Sequence, residues 1–323
     1  MKALVFDRFG GPEVLRVADV AAPDPMPGHA VVRMRAVGLN FADVYRRRGS
    51  YHLEGQPPYI LGYEGAGEIE SLRAGGDSLA TYAFCVGDRV AFADAPHANA
   101  ELVRVPLDKL IPLPDRVSFE SAAAQLLQGL TAQYLVCDSR KLADGETAVV
   151  HAAAGGVGLL LVQLARRAGA RVLALSSTRD KLDRALAVGA TAGALYDDDW
   201  VATAHRLSPD GRGADVVYDS VGATLDDSLR AARRGGQVVF FGMAGGDPVL
   251  VDPRRLMDES KTLTGGDLWN VLTSHEQRLR RAANLFAAEL QIHIAGTFRF
   301  ADAAAAHRAL EGRGTSGKIL LVP

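Results

Sequence analysis

The sequence predicts an α/β protein, in which the middle of the chain forms a doubly wound parallel sheet and the remainder supplies a second, β-rich unit. Three observations carry this. Apolar strand candidates alternate with helix candidates from about residue 145 to 243; a glycine-rich turn joins the first of those strands to its helix; and the residues before Pro114 form short β-branched runs cut by Gly and Pro. Alternation of strand and helix requires right-handed crossovers and hence parallel strands, whereas short runs punctuated by turn residues read as β structure.

The 323 residues include 36 Lys+Arg and 38 Asp+Glu, for a formal net charge of -2, and 48% are hydrophobic. That length accommodates two domains of roughly 100 to 200 residues, each with its own core. The balanced charge lacks the basic excess needed to displace counterions from phosphate backbones, so no nucleic-acid partner is expected. Cys85 and Cys137 are the only thiols. They are too few for a disulfide framework or a four-cysteine zinc site, which fits a reducing cytoplasm. Asp7 interrupts the opening MKALVFDRFGGPEV where a signal peptide needs an apolar core. No apolar run reaches the ~18 residues of a membrane helix, so the expected location is the cytoplasm.

Taken in order, KALVF (2–6), AVVRMRAV (30–37), GAGEIESL (65–72) and DRVAFA (88–93) read as strands. Pro23, Pro25 and Pro27 fix φ and remove backbone donors, predicting an extended connector with no helix. Arg46, Arg47 and Arg48 read as a solvated basic face, with an anionic substrate or an RNA contact as the other reading. Ser118 opens SFESAAAQLLQGLTAQYLV, a helix with Ser118 as N-cap and Glu120 suited to the positive end of the dipole. Strands follow at TAVVHA (147–152), RVLALS (171–176), ADVVYDSV (214–221) and QVVFFGM (237–243). Helices at LLLVQLARRAG (159–169), KLDRALAVG (181–189) and LDDSLRAARRG (225–235) separate them. Several of these strands are almost wholly apolar, as strands covered on both faces are. The tail holds helices over 274–289 and 302–311 and a final strand KILLV, and is expected to return to the first unit.

The segment HAAAGGVGLLLVQLARRAG has the spacing AxxGxxG, with Ala152, Gly155 and Gly158. It follows a strand and opens a helix, where glycines let the backbone approach a pyrophosphate that the helix N-terminus stabilises. This predicts dinucleotide binding. At the end of the next strand the chain reads Ser176, Ser177, Thr178, Arg179, Asp180, Lys181. Small hydroxyls and two cations there accommodate a 2'-phosphate, which favours NADPH over NADH. Arg179 and Lys181 read alternatively as solvated residues opening the next helix.

Further landmarks are FGGPEVL near the start, AVGLNFADVY (36–45), LGYEGAGEI (61–69), VGDRVAF (86–92), GLTAQYL (129–135), HAAAGGVGL (151–159), VYDSVG (217–222) and the C-terminal GKILLVP. On these the sequence resembles the zinc-free quinone oxidoreductase branch, which includes zeta-crystallin, of the medium-chain dehydrogenase/reductase superfamily. The resemblance implies a GroES-like catalytic domain from 1–120 and 261–323, a Rossmann domain from 121–260, and an active cleft where they meet. It implies cofactor contacts at Asn40, Thr131, Gly155, Gly156, Val157, Gly158, Ser177, Lys181, Tyr196, Phe241, Gly242, Arg313 and Lys318, with Ser177, Lys181 and Tyr196 around the adenosine phosphate. Substrate contacts would come from Asn40, Tyr45, Tyr51 and Gln128.

Zinc-dependent relatives carry a Cys and a His where this chain has Asn40 and Tyr63; Glu64 alone is no metal site, so no metal is expected. Hydride transfer without a metal needs an electron-poor acceptor, such as a quinone or enone, and a donor such as Tyr51 or Asn40 for its developing oxyanion. A 2-enoyl thioester reductase is the alternative enzyme, and an NADPH-binding structural or RNA-binding protein the alternative of another class. The stretch ESLRAGGDSLATYAFCVGDRV is longer than the usual family loop, and GGDLWNVL lacks the arginine-proline pair seen in some relatives. The resemblance implies a homodimer, and pairing of QVVFFGMA with its copy would form it.

Overall fold

A computed structural model describes residues 1–53, 55–73 and 83–323. Within it the chain forms two compact units, one of Met1–Leu127, Leu272–Ala288 and Ile292–Pro323, the other of Gln128–Val271 and Glu289–Gln291. The boundary at 127/128 falls inside the helix Phe119–Tyr134, which Ser118 starts by accepting the Ser121 N–H on its hydroxyl at 3.0 Å.

The first unit opens with β1 (Lys2–Phe6), β2 (Arg16–Asp19), β3 (His29–Leu39), β4 (Tyr59–Ile60), β5 (Gly65–Arg73), β6 (Arg89–Phe92), β7 (Leu102–Pro106) and β8 (Ile111–Pro112). No helix forms at the proline cluster. Residues 74–82 of the long stretch between β5 and β6 lie outside the described residues.

The second unit contains β9 (Thr147–Val150), β10 (Arg171–Ser176), β11 (Ala192–Leu195), β12 (Ala214–Asp219), β13 (Ala232–Phe240) and β14 (Thr262–Gly265). They form one parallel sheet in the order β11-β10-β9-β12-β13-β14. Relative to chain order this is 3-2-1-4-5-6, the Rossmann arrangement, with the switch of direction beside β9. Val149, Leu173, Leu175, Val217 and Val238 are buried in its core. Burying such side chains stabilises the fold by about 1.5–3 kcal/mol each.

The chain then returns to the first unit with β15 (Ile294–Arg299) and β16 (Lys318–Val322). Its main sheet runs β15-β16-β3-β5-β6-β8, with β7 also on β3, and β2-β1-β4 make a small second sheet. Ile319 and Leu321 of the last strand are buried with Leu4, Val32, Leu39 and Ile69 in one core. The C-terminus is therefore integral to this unit.

Two expectations require correction. The helix predicted over 225–235 ends at Ala231, because Ala232 is already extended (φ -70, ψ 139). Arg233 is tied to Asp215 at 2.6 Å, and Gly235 takes a positive φ of 70°. The β12–β13 pairing shifts register between Ala214/Ala232 and Val216/Gln237 to absorb this turn. The strand QVVFFGMA is not at an edge either: β13 is paired with β12 on one side and β14 on the other. The edge on that side is β14.

Candidate active site

In the first unit the site begins with Asn40, which follows β3 and caps the helix Phe41–Arg48. The Asn40 N–H donates to Asp43 Oδ2 at 3.0 Å, the return bond that an acidic residue at the third helical position can make. Both hydrogens of the Asn40 amide are used, on Gly38 O at 3.1 Å and Glu64 Oε2 at 3.0 Å. Its Oδ1 accepts from Lys318 Nζ at 2.8 Å. Lys318 Nζ also donates to Glu64 Oε2 at 2.6 Å, and Glu64 Oε1 accepts from Leu127 N–H at 2.7 Å. Glu64 and Lys318 are buried, so each charge depends on the other for compensation.

One turn along the helix stands a stack that sequence reasoning missed. Arg46 and Arg47 are buried and only Arg48 is exposed, which corrects the reading of a solvated face. The Arg46 guanidinium lies 3.7 Å from the ring centre of Tyr63 and 5.0 Å from that of Tyr51. It donates to His52 O at 3.2 Å and lies 3.7 Å from Asp43. Burial pushes the Asp43 carboxyl above its usual range, opposed by the pull of Arg46. Arg47 donates to Gly10 O, His307 Nδ1 and Glu311. A spacing of three basic residues carries no trace of partners more than 200 positions away. Tyr45 and Tyr51 meet edge to face with ring centres 6.4 Å apart, and both are half-buried. The structure thus brings Asn40 and Lys318 together, and Tyr45 and Tyr51 together. Arg313 follows the helix Ala303–Glu311, exposed and with φ of 53°.

In the second unit the glycine turn joins β9 to the helix Gly156–Arg167, with Gly155 as N-cap. A glycine cap has no side chain to occupy the first amides, leaving Gly156, Val157 and Gly158 at the positive end of the dipole, as an anion-binding turn requires. A Cβ on Gly156 would fall 2.0 Å from Gln128 Oε1, so Gln128 lies directly against the turn. A Cβ on Gly158 would sit 2.3 Å from Ala152 O, so only glycine permits this approach of helix to strand end.

After β10, Lys181 Nζ reaches Ser177 Oγ at 3.3 Å at the start of the helix Arg179–Ala187, which Thr178 caps. A cation and a hydroxyl converge there, as a phosphate monoester requires. Thr131 is half-buried on the helix Phe119–Tyr134. Phe241 N–H bonds Asp219 O at 2.9 Å, and Gly242 lies against Ser220, which puts both after β13 beside the end of β12. The Tyr196 hydroxyl accepts from Ala152 N–H at 2.8 Å, beneath the glycine turn. These arrangements fit a dinucleotide phosphate.

A metal does not fit. Among the described residues no three His, Cys, Asp or Glu side chains are grouped to hold one. Glu64 is engaged by an ammonium group, and a guanidinium lies over the Tyr63 ring. A further cation beside these would meet repulsion. No helix among the described residues is long and apolar enough to cross a membrane.

Residues 26–146 match the family described as alcohol dehydrogenase GroES-like domain, and residues 156–288 the family described as zinc-binding dehydrogenase. A quinone oxidoreductase of Pseudomonas aeruginosa is 39% identical over 100% of this chain and 99% of its own length. A 2-haloacrylate reductase of a Burkholderia species is 34% identical over 99% of this chain and 98% of its own. The crystal structure of Escherichia coli quinone oxidoreductase complexed with NADPH superposes with a TM-score of 0.94 at 33% identity, covering 100% of both chains.

Proposed function

The chain belongs to the quinone oxidoreductase family of the medium-chain dehydrogenase/reductase superfamily, and on that premise we propose that it reduces a quinone or activated enone at the expense of NADPH. The observation that carries this reading is the glycine turn at the end of β9, with Lys181 and Ser177 at the end of β10, in a chain similar to quinone oxidoreductases from end to end of the alignment. When bound, NADPH supplies the hydride.

The residues of this chain bind, orient and polarise. The amides of Gly156, Val157 and Gly158 hold the pyrophosphate, and Gly155 leaves them uncovered. Lys181 and Ser177 bind the 2'-phosphate, with Thr131, Phe241, Gly242, Asn40, Arg313 and Lys318 completing the cofactor contacts. Asn40, Tyr45, Tyr51 and Gln128 contact the acceptor. The two Asn40 amide hydrogens are already given to Gly38 and Glu64, which favours Tyr51 as donor to the oxyanion. Donation there stabilises charge that develops only as the hydride arrives, so it accelerates the reaction rather than merely tightening binding. The first unit is the catalytic domain and the second the cofactor domain.

Reduction of an activated carbon–carbon double bond is a second reading, favoured by the likeness to a 2-haloacrylate reductase. A homodimer in the cytoplasm completes the proposal. β14, the edge of its sheet among the described residues, with Leu250 and Met257 exposed nearby in the chain, supports self-association. A screen of benzoquinones, naphthoquinones, enones and enoyl thioesters with NADPH and NADH tests the function. Turnover confined to enoyl thioesters would replace the leading reading, and gel filtration decides the dimer.

A further inference from the structure

We propose that Tyr196 is a positioning residue for the pyrophosphate-binding turn, acting on NADPH and NADH alike, rather than a contact to the adenosine 2'-phosphate. This rests on the proposed nucleotide-dependent function and deepens it. The resemblance to the family places Tyr196 around that phosphate; the hydrogen bonds of this chain give its hydroxyl another task.

Tyr196 follows β11, and its N–H donates to Ser176 O at 3.2 Å, which fixes it beside the end of β10. Its hydroxyl accepts from the N–H of Ala152 at 2.8 Å and lies 3.4 Å from His151 Nδ1. The two rings stack, with centroids 5.7 Å apart and planes 29° from parallel. His151 Nε2 lies 3.0 Å from Ser228 Oγ, and Ser228 Oγ lies 2.7 Å from Asp219 Oδ2. His151, Ser228 and Asp219 are all buried.

The directions of these bonds follow by elimination. Asp219 accepts from Val221 N–H, Gly222 N–H, Thr224 Oγ1 and Ser228 Oγ, a set of donors that only a carboxylate satisfies. The one hydrogen of Ser228 is thereby used, so Ser228 Oγ accepts from His151 Nε2–H. Burial holds the His151 imidazole below its usual range, so the ring is neutral and Nδ1 is an acceptor. The hydrogen at Nδ1 then comes from Tyr196, whose oxygen takes the Ala152 N–H. All donors point one way, from the turn amide through Tyr196, His151 and Ser228 to the buried Asp219. Each bond in such a series polarises the next.

Two consequences follow. The only hydrogen of the Tyr196 hydroxyl is committed to His151, and a phosphate oxygen needs a donor. The residue that Tyr196 grips is the one that needs holding. Ala152 has a φ of 46°, a left-handed conformation that an alanine adopts only under restraint. Its carbonyl accepts from Gly155 N–H at 2.8 Å, and the Gly158 backbone is packed against the same oxygen. The position of Ala152 therefore sets where the amides of Gly156, Val157 and Gly158 point.

The test is fluorescence titration of the full-length wild type, Tyr196→Phe, Ser228→Ala and Lys181→Ala proteins with NADPH and NADH separately. Loss of one neutral hydrogen bond corresponds to about a 2- to 10-fold weaker dissociation constant. Tyr196→Phe is expected to weaken both coenzymes by the same factor within that range, leaving their ratio as in wild type. Ser228→Ala, which breaks the series away from the turn, weakens both in parallel by a smaller factor. Lys181→Ala changes the ratio. Loss of NADPH affinity alone in Tyr196→Phe, or no loss for either coenzyme, overturns the inference while leaving the proposed function standing. A wild-type protein that binds neither coenzyme overturns the proposed function and the inference with it. If Tyr196→Phe does not fold, Ser228→Ala decides: an unchanged affinity or a changed ratio refutes the positioning role.

Discussion

Replacing His307 with glutamine is expected to remove much of the acid sensitivity of the first unit. His307 lies on the helix Ala303–Glu311, and its Nδ1 accepts from Arg47 Nη1 at 2.9 Å, both side chains being buried. Its Nε2 has no hydrogen-bond partner among the described residues. Burial, and next the Arg47 guanidinium, push the His307 imidazole down to about 3. The unfolded chain binds a proton at this group near pH 6.5, whereas the folded chain refuses it until about pH 3. The stabilising contribution is therefore complete above the unfolded pKa and is lost progressively as the pH falls towards the folded one. Each pH unit in that window costs about 1.4 kcal/mol, so acidifying from about pH 6.5 to about 5 costs roughly 2 kcal/mol.

Glutamine keeps an acceptor for Arg47 and does not titrate. Its stability should fall roughly 2 kcal/mol less than that of wild type over the same interval. The two tryptophans, Trp200 and Trp269, belong to the second unit, so the assay is hydrogen exchange of the amides in β16 and the helix Ala303–Glu311 at a series of pH values. His151, also held below its usual range by burial, belongs to the second unit and serves as the internal reference. Parallel pH profiles for wild type and His307→Gln would show that His307 is not the source of the acid sensitivity.

Other outcomes follow from the same geometry. Lys181→Ala should weaken NADPH binding about tenfold while changing NADH by less than about twofold, since only NADPH carries the phosphate that a cation at this position binds. Equal effects on both coenzymes in fluorescence titration would remove Lys181 from that role. Tyr51→Phe should lower kcat about 10- to 100-fold with little effect on NADPH affinity, because the hydroxyl acts as charge develops. An unchanged kcat would take Tyr51 out of the chemistry. Glu64→Gln should destabilise the first unit by about 3–5 kcal/mol by leaving Lys318 buried without its counter-charge, and Lys318→Met in the same chain should restore much of that loss. Urea unfolding followed by circular dichroism reads both variants, and a single variant as stable as wild type would contradict the assigned burial.

Local signals were legible wherever a residue acts on its chain neighbours. Ser118 begins its helix, Ala152, Gly155 and Gly158 form the turn, and the strand–helix alternation yields the β11-β10-β9-β12-β13-β14 order. Asp43 was available too, since Asn40 followed three residues later by a carboxylate is a helix-start signature. What the sequence hides is partnership over distance. Arg46 and Arg47 look like surface charge until Tyr63, His307 and Glu311 are brought to them. The same limit left QVVFFGMA open to pairing with its copy, because four residues of Thr262–Gly265 give little sign that they add one more strand. Tyr196 was legible as a cofactor residue only through family likeness, and the bond to Ala152 that defines its task links residues 44 apart.

Quinone reduction dependent on NADPH is read from the loss of reduced-nicotinamide absorbance with a benzoquinone under anaerobic conditions, with NADPH and NADH in parallel. One NADPH should be oxidised per quinone reduced, with a higher kcat/KM for NADPH than for NADH. No quinone-dependent oxidation, or equal use of NADH, would contradict it.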